Sequence, residues 1–484
     1  MPDKGPPSEY RGQSLSPYAG RWVARVRGQV VAQGGTPEQA RRAAQSSRFK
    51  ESPEIIFMPT STLLIFPPLL DTLRAALPED KVVYLVGGAV RDALLGRATH
   101  DLDFALSGDA IKTARRVANY LKAGFYPLDL ARDTGRVIVT AKDGTRTVMD
   151  FAAFRGPDPS AGSGQDLEAD LRGRDFTLNA MAVDVHTLAL YDPLGGALDL
   201  REKRLRQCSP SAFSDDPVRI LRAIRLAAAF GFRILPETRQ AMKQAVKLLP
   251  NVSPERLRDE LFRILEGPQP ATSLRAVDML GALAPVLPEL TPLKEVAQPS
   301  PHVNDVWSHT LSVLTYLETI LAALAPEYNP DTASDLFNGL MVLRIGRYRQ
   351  QIAEHFSSVL NVNRSLRGLL FLAALYHDVA KPRTKTADEE RSIRCHGRLR
   401  FWGHDEEGAR ITVGRARALQ LSGTEIDHLE TVVRNHMRIH YHTDRLVKEQ
   451  KSPSRRAIYR FFRDSGEAGV DVCLLALADL RATY

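Results

Sequence analysis

Cysteine is scarce in this chain of 484 residues: Cys208, Cys395 and Cys473 stand far apart and are odd in number. No Cys-x-x-Cys spacing occurs, which excludes a disulfide scaffold and a zinc ribbon and suits a reducing cytoplasm. Long apolar runs are missing too. The most apolar early run, Leu63 to Leu70, is short and broken by Pro67 and Pro68, so it does not span a bilayer. Residues 1–20 are polar and rich in Pro, Gly and Ser, without the apolar centre of a signal peptide. Neither sign of charge dominates: 65 Lys and Arg face 57 Asp and Glu, a net +8. That surplus suits a polyanionic partner such as RNA, and a mildly basic enzyme without nucleic acid explains it equally well. What is present is ordinary for a globular chain, 44% hydrophobic and 25% charged, and long enough for two to four domains.

No repeat of solenoid period is visible, and composition divides the chain into successive regions. Residues 1–16 read as a disordered lead. Residues 17–60 read as a small α/β module: two short strands around Arg27-Gly28, a helix capped by Thr36 with Pro37 at its first position, and a closing strand Glu54 to Met58. The module resembles small N-terminal modules with a GRWVA…V.A.G pattern, which carry no assigned activity. Residues 61–200 alternate strand and helix signals, as a catalytic head would. Residues 201–290 are helical with Arg-rich polar faces, and Ser253-Pro254 is a helix start there. The Pro-rich stretch ending in 291–301 reads as a linker. Residues 302–484 are helical again and hold most of the histidines.

The chemistry begins at the strand Val82 to Val86, which feeds Gly87-Gly88 and a helical run ended by Gly96. Such a turn aims backbone N–H groups at an anion, here a triphosphate, although glycine pairs in tight turns are mostly structural. The next strand, His100-Asp101-Leu102-Asp103-Phe104, puts two carboxylates on one face because strand side chains alternate. Two such charges repel unless a cation lies between them, and Mg²⁺ held against a triphosphate is the matching use. An Asp-x-Asp alone is more often a turn or an exposed strand face; after a Gly-Gly turn at this interval it gains weight. Asp150, at the end of the strand-like Thr145 to Asp150, is the natural third carboxylate, to orient or deprotonate an attacking hydroxyl; a solvated strand-end Asp is the bland alternative.

At these residues the sequence resembles the bacterial and eukaryotic type (class II) tRNA nucleotidyltransferase and poly(A) polymerase family, of the polymerase-β superfamily. LVGGAVRDALLGRATHDLDFAL carries the resemblance first. GRDFTLNAMAVD at Gly173 to Asp184, DPLGG from Asp192, SDDPVRILRAIRLAAAFGF from Ser214 and SPERLRDEL from Ser253 follow in the family's order. The resemblance implies Asp101 and Asp103 as the metal-binding carboxylates. It places Arg174 and Asp175 at the ribose, with Gly87, Gly88, Arg91 and Asn179 as further nucleotide contacts. Asp215, Asp216 and Arg219 stand where the family uses Glu-Asp-x-x-Arg to read the base edge of CTP or ATP, with Arg222 beside them. Asp accepts from an exocyclic amine, which both bases carry, and Arg donates to ring acceptors. Asp216-Pro217 also reads as a helix cap followed by Pro, and the Arg219, Arg222, Arg225 stripe as either a solvated face or an RNA contact. The partners implied are the 3′ end of tRNA, CTP and ATP, with no membrane; nothing in the sequence sets an oligomeric state. Between Arg155 and Asp166 the family members that add the terminal A carry a longer charged loop. Here the run GPDPSAGSGQ stands instead, which raises the standing of a CC-adding enzyme.

The C-terminal half places His309, His377-Asp378, His404, His436 and Asp479 in or beside apolar helical runs, where an unpaired imidazole or carboxylate is costly. Imidazole with carboxylate suits a divalent transition metal. The order resembles the HD phosphohydrolase superfamily, which implies His309, His377, Asp378 and Asp479 as core ligands and His404 and His436 at a second metal. Metal-assisted hydrolysis of a phosphate ester follows, and a purely structural HD fold competes with it. Lys381 and Arg383 could meet a phosphate or belong to a solvated loop. The chain runs five residues past Asp479, so either a truncated sequence or a loosely held last ligand is expected.

The fold expected is α+β: a polymerase-β-like nucleotidyltransferase head, an all-helical neck and body, and a helical HD domain, behind a small α/β N-terminal module. The leading activity is transfer of CMP, and AMP as a further step, onto tRNA in the cytoplasm. The competing readings are a CC-only enzyme, an HD hydrolase with an inactive head, and a tRNA-binding protein with a dead head.

Overall fold

A computed structural model describes residues 21–26, 29–45, 52–58, 69–78, 81–141, 143–155, 166–328, 336–361, 364–387 and 399–483. The lead 1–16, the Arg27-Gly28 turn, Cys395 and the GPDPSAGSGQ run lie outside the described residues. The chain divides into two compact units, residues 1–215 with 233–239, and residues 216–232 with 240–484.

The first unit is built on a ten-stranded sheet. Its strands are β1 (Arg21–Val26), β2 (Gln29–Gly34), β3 (Glu54–Met58), β4 (Val83–Val86), β5 (Asp101–Leu106), β6 (Gly124–Asp129), β7 (Thr134–Thr140), β8 (Arg146–Ala153), β9 (Ala182–Asp184) and β10 (Leu190–Tyr191). Their order is β2-β1-β3-β10-β9-β4-β5-β8-β7-β6. The N-terminal strands therefore extend the head's sheet, through the pairing of Ile56 with Tyr191. Thr36 caps the helix Pro37–Gln45 as its sequence implied, accepting from the Gln39 N–H at 3.1 Å. β5 alternates as the sequence reading required: Asp101 and Asp103 face solvent, while Leu102 and Phe104 are buried. Phe104 stacks on Phe151 of β8 at 4.6 Å, and Leu73, Val90 and Val117 from the covering helices close the core. This packing is what makes the carboxylate-bearing strand rigid.

The second unit is helical apart from short two-stranded pairs. The helix Leu366–Tyr376 is its centre, with Leu369, Leu370, Phe371 and Leu372 buried, which accounts for a run too uniformly apolar to show a face. Around it pack Val306–Ala323 and the long Gly423–Glu449, with Gly469–Thr483 against both of those. Of the expected linker, 296–301 has neither helix nor strand, whereas its first part, 291–295, belongs to a packed 3₁₀ stretch, Pro288–Glu295. Leu287, Leu290 and Leu293 recur at its three-residue period and are buried, so they bind it to the unit.

Candidate active sites

In the first unit, β5 and β8 run parallel and set Asp103 opposite Asp150. With Asp101 two residues earlier, three carboxylates share one region of the sheet. Asp103 is open on its outer side, yet loss of water around its carboxyl raises its pKa, and the Asp150 and Asp101 charges push the same way against Arg174 and Arg136. A site that resists its own ionisation in this way is suited to a divalent cation, and the all-oxygen donor set fits Mg²⁺. Asp150 is a different case from its neighbours. Arg136, its cross-strand partner on β7, donates to both of its oxygens at 2.6 Å. A carboxylate so engaged is poorly placed to take a proton, so its geometry favours orienting over deprotonating.

Gly87 bridges strand and helix at φ 76°. A Cβ there would stand 3.2 Å from Arg174 Nη1 and 3.3 Å from Asp103 Oδ2, so only a glycine lets the backbone come this close. Arg174 donates to the buried Asp170 at 3.0 Å through Nη2. Asp175 accepts from Asn179 Nδ2 at 3.1 Å, and Asn179 Oδ1 accepts from Arg91 at 2.8 Å. The nucleotide-contact residues expected in the head thus form connected networks beside the carboxylates. DPLGG is explained by packing. Asp192 caps a helix by accepting from the Gly196 and Ala197 N–H groups at 2.7 Å, and a Cβ on Gly196 would fall 2.0 Å from the Thr177 carbonyl. Burial pushes the Asp192 carboxyl up to about 7.

Asp215 closes the short helix Ala212–Asp215 and accepts from Ser211 Oγ at 2.8 Å. In the second unit, Asp216 is no helix cap: the helix Arg219–Phe230 starts after Val218, with no side-chain cap. Pro217 and Val218 intervene as a turn, and Asp216 Oδ2 is drawn instead to Arg256 at 2.6 Å and Arg219 at 3.7 Å. Its Oδ1 is buried and has no hydrogen-bond partner among the described residues, an acceptor left for an N–H donor. The arginine stripe is not simply solvated. Arg222 and Arg225, with Arg263, converge on the buried Glu260 at 2.9–3.1 Å.

All six expected histidine and aspartate ligands of the C-terminal half converge inside the second unit. His309, His377 and Asp479 form one group and Asp378, His404 and His436 a second, with the ligand atoms within each no more than 4.8 Å apart. His377, His404 and His436 each direct Nδ1 at a backbone carbonyl at 2.6–2.7 Å. Those contacts place a proton on Nδ1 and turn Nε2 toward the other members of the two groups. His404 Nε2 and His436 Nε2 are buried without hydrogen-bond partners among the described residues. Burial, with the positive potential of His404 and His377, pushes His436 down to about 3, so its ring is neutral. For His377 burial works against the charged ring, and Asp378 and Asp479 outweigh it and raise the pKa. Asp378 lies well below the usual carboxylate range: burial works against its charge, and His377 and Lys381 outweigh that. Buried imidazoles with inward Nε2 atoms beside ionised carboxylates fit a divalent transition metal.

Asp479 is not loosely held. It sits on Gly469–Thr483, with Oδ1 at 2.9 Å from His309 Nε2 and Oδ2 at 2.9 Å from His440 Nε2. His440 escaped the sequence reading, although its spacing of four from His436 puts both on one helix face. Arg136, Asp170 and Glu260 were missed as well. Lys381 reaches the site rather than solvent, 2.6 Å from both Asp378 Oδ2 and Gln298 Oε1, whereas Arg383 is exposed beside Glu407.

A sheet-borne carboxylate cluster behind a Gly-Gly turn, with a separate histidine–aspartate centre in a helical unit, defines a nucleotidyltransferase head joined to an HD domain. The sequence matches the family described as poly A polymerase head domain over residues 83–206. It matches the probable RNA and SrmB-binding site of polymerase A over 231–294, and the HD domain over 306–465. It is 32% identical to the CC-adding tRNA nucleotidyltransferase of Thermus thermophilus, over 84% of this chain and 77% of that one. It is 34% identical to the A-adding tRNA nucleotidyltransferase of Deinococcus radiodurans, over 73% and 68%. The solved Thermotoga maritima CCA-adding enzyme complexed with tRNA shares the fold, at TM-score 0.54 and 22% identity over 87% of this chain and 82% of that one. The chain belongs to the tRNA nucleotidyltransferase and poly(A) polymerase family. No helix among the described residues is long and apolar enough to cross a membrane.

Proposed function

We propose that this protein adds nucleotides to the 3′ end of tRNA in the cytoplasm, taking CMP from CTP and releasing pyrophosphate. The observation that carries this reading is the register of β5 and β8, which brings Asp101, Asp103 and Asp150 together against Gly87 and Arg174. Asp101 and Asp103 would hold Mg²⁺, which supplies charge neutralisation and polarisation of the triphosphate. The 3′-hydroxyl oxygen bonds the α-phosphorus, the α–β bridge breaks so that pyrophosphate leaves, and the hydroxyl proton passes to solvent water. Arg136 holds Asp150 in orientation through two hydrogen bonds, and Arg174, braced by Asp170, offers positive charge at Asp103. Asp175 and Asn179 would contact the ribose. Asp216 Oδ1, buried and unpaired, would accept from the base's exocyclic amine, with Arg219 donating beside it.

The small-residue run between Arg155 and Asp166 favours a stop at CC. Purified protein with Mg²⁺ and tRNA transcripts ending at the discriminator base, at C or at CC tests this when CTP and ATP are offered separately and together. Growth by two C residues and no further supports the short-run argument. Growth to CCA means that the run still allows the switch to ATP, and no growth on any transcript rejects the transferase reading.

A second reading stands beside the first because of the paired ligand groups in the HD domain. His309, His377 and Asp479, with Asp378, His404 and His436, would hold a divalent transition metal that activates water for phosphate-ester hydrolysis. Release of phosphate or nucleoside from cyclic and linear nucleotide esters, dependent on added Mn²⁺, Ni²⁺ or Co²⁺ and absent from a His377→Ala variant, is the expected result.

A further inference from the structure

The positive charge of this chain is concentrated where neither site uses it. From Arg438 to Arg463 there are eight Lys and Arg against two acids, a surplus of six where the whole chain carries +8. This segment is the second half of the helix Gly423–Glu449, a short connection, and the helix Arg455–Ser465. Ser454 caps the second helix by accepting from the Ala457 N–H at 3.2 Å. One side of that helix is anchored: Phe461 and Ser465 are buried, and the Arg438 guanidinium lies 5.5 Å over the Phe461 ring.

The other side is open. Arg455 and Tyr459 form one row at helical spacing, and Arg456 and Arg460 an adjacent one. Among the described residues these three arginines form no ion pair, whereas Arg438 and Arg463 meet Asp464. Tyr459 is 66% exposed and Tyr441, on the preceding helix, 61% exposed with Arg445 over its ring at 5.9 Å. A face that only solvates the protein would mix in acids, as the Glu407–Arg410 pair does elsewhere. Arg445 itself pairs with Glu449, so the exposed Tyr459 beside Arg455, Arg456 and Arg460 is the part of the surface suited to neutralise phosphates and stack a base. A membrane would draw on the helix's apolar side, of which Phe461 is buried while Ile458 and Phe462 remain 48% and 46% exposed. Guanidiniums without ion pairs among the described residues, beside an exposed Tyr459, favour instead a phosphate backbone with bases.

We propose that Arg455, Arg456, Tyr459 and Arg460 form an RNA-binding face that grips the phosphate backbone of the tRNA, a hold separate from the carboxylate site. The proposal rests on the tRNA reading above and extends it to a second contact. It is tested on the full chain with an Arg455→Ala, Arg456→Ala, Arg460→Ala triple variant, whose substitutions leave the Ser454 cap and the Phe461 anchor in place. Binding of a labelled full-length tRNA transcript is followed from 50 to 200 mM KCl, with about 0.7–0.9 of salt slope expected per lost phosphate contact. The variant should bind about tenfold more weakly at the midpoint salt, with a slope about two to three less negative. Its KM for tRNA should rise in step, while kcat and KM for CTP hold. Lysine at all three positions should restore the slope, and Tyr459→Ala alone should cost about tenfold in affinity through lost stacking, with Tyr459→Phe close to normal.

An unchanged slope and affinity in the triple variant overturns the proposal. So does a variant that binds tRNA normally but no longer binds phosphatidylserine vesicles held by the parent protein, since the face then serves a membrane. A parent protein that shows the slope change but adds no nucleotide removes the transferase reading and leaves this face standing.

Discussion

At Gly87 a single missing side chain sets how close the backbone comes to the reacting centre. Its φ of 76° and ψ of −139° lie in a region almost closed to other residues, and its Cα faces Arg174 and Asp103. Gly87→Ala should cost about 1–3 kcal/mol of stability from strain. Displacement of Arg174 or Asp103 by the added methyl should also lower nucleotide incorporation at least tenfold. Urea unfolding and single-nucleotide product gels read the two effects separately, and normal incorporation would show that the close approach is only structural. Asp103→Asn is the cleaner test of charge, because it keeps shape and removes a carboxyl whose ionisation burial opposes. Incorporation should fall by about a thousandfold or more, equivalent to about 4 kcal/mol of lost transition-state stabilisation, with tRNA binding kept. Retained incorporation would mean that the carboxylates serve the strand and not the chemistry.

Helix-to-helix contacts carry their own prediction at Glu260, which joins the helix Pro254–Leu265 to Arg219–Phe230 within the second unit. Burial works against its charge, and Arg225, Arg222 and Arg263 outweigh that and hold its pKa below the usual range. Glu260→Gln should destabilise by about 2 kcal/mol at pH 7, the low end for a buried pair because the guanidiniums keep partial solvent contact. A carboxyl depressed in the folded state contributes stability above its unfolded pKa, about 4.3, and loses it as pH falls through the lower folded value. The gap between parent and variant in urea unfolding should therefore be full at pH 7 and narrow below about pH 4. A gap that stays constant on acidification would mean that Glu260 acts through shape and not charge.

The same region shows what a sequence reveals at the level of elements. Strand β5 was legible because alternation of Asp, Leu, Asp and Phe has one meaning on a half-buried strand. The convergence of six candidate histidine and aspartate ligands was legible because polar residues inside apolar helical runs need partners. Arg136 was not, since its role exists only through the β7–β8 register, which no local pattern states. Nor was Glu260, whose three arginines come from two helices well apart in sequence. Asp216-Pro217 misled because a cap and a short turn begin with the same residues, and only the hydrogen bonds tell them apart. The linker misled through its prolines, which here start a 3₁₀ stretch whose leucines do the packing.

For the molecule as a whole, the division into two units makes a claim about independence. The carboxylate cluster lies wholly in the first unit and the histidine centre wholly in the second. A metal held by His309, His377, Asp378, His404, His436 and Asp479 would bind the folded state in preference, because the unfolded chain scatters these residues over 171 positions. Binding at about a hundredfold excess over the dissociation constant then contributes about 2.7 kcal/mol to the second unit. For a unit of this size that is a rise of about 5–10 °C in its melting transition. Chelator-stripped protein given Mn²⁺, Ni²⁺ or Zn²⁺ should show that rise, and a His377→Ala, Asp378→Ala variant should melt at one temperature with or without the ion. Because each variant is compared with itself, the loss of buried groups does not disturb the reading. The same variant, supplied with Mg²⁺ and CTP, should extend tRNA at close to the parent rate if its carboxylate cluster needs nothing from the HD ligands. Transfer lost together with the metal response would join the two centres in one function, and no metal response in the parent would leave the HD ligands a hydrogen-bonded core.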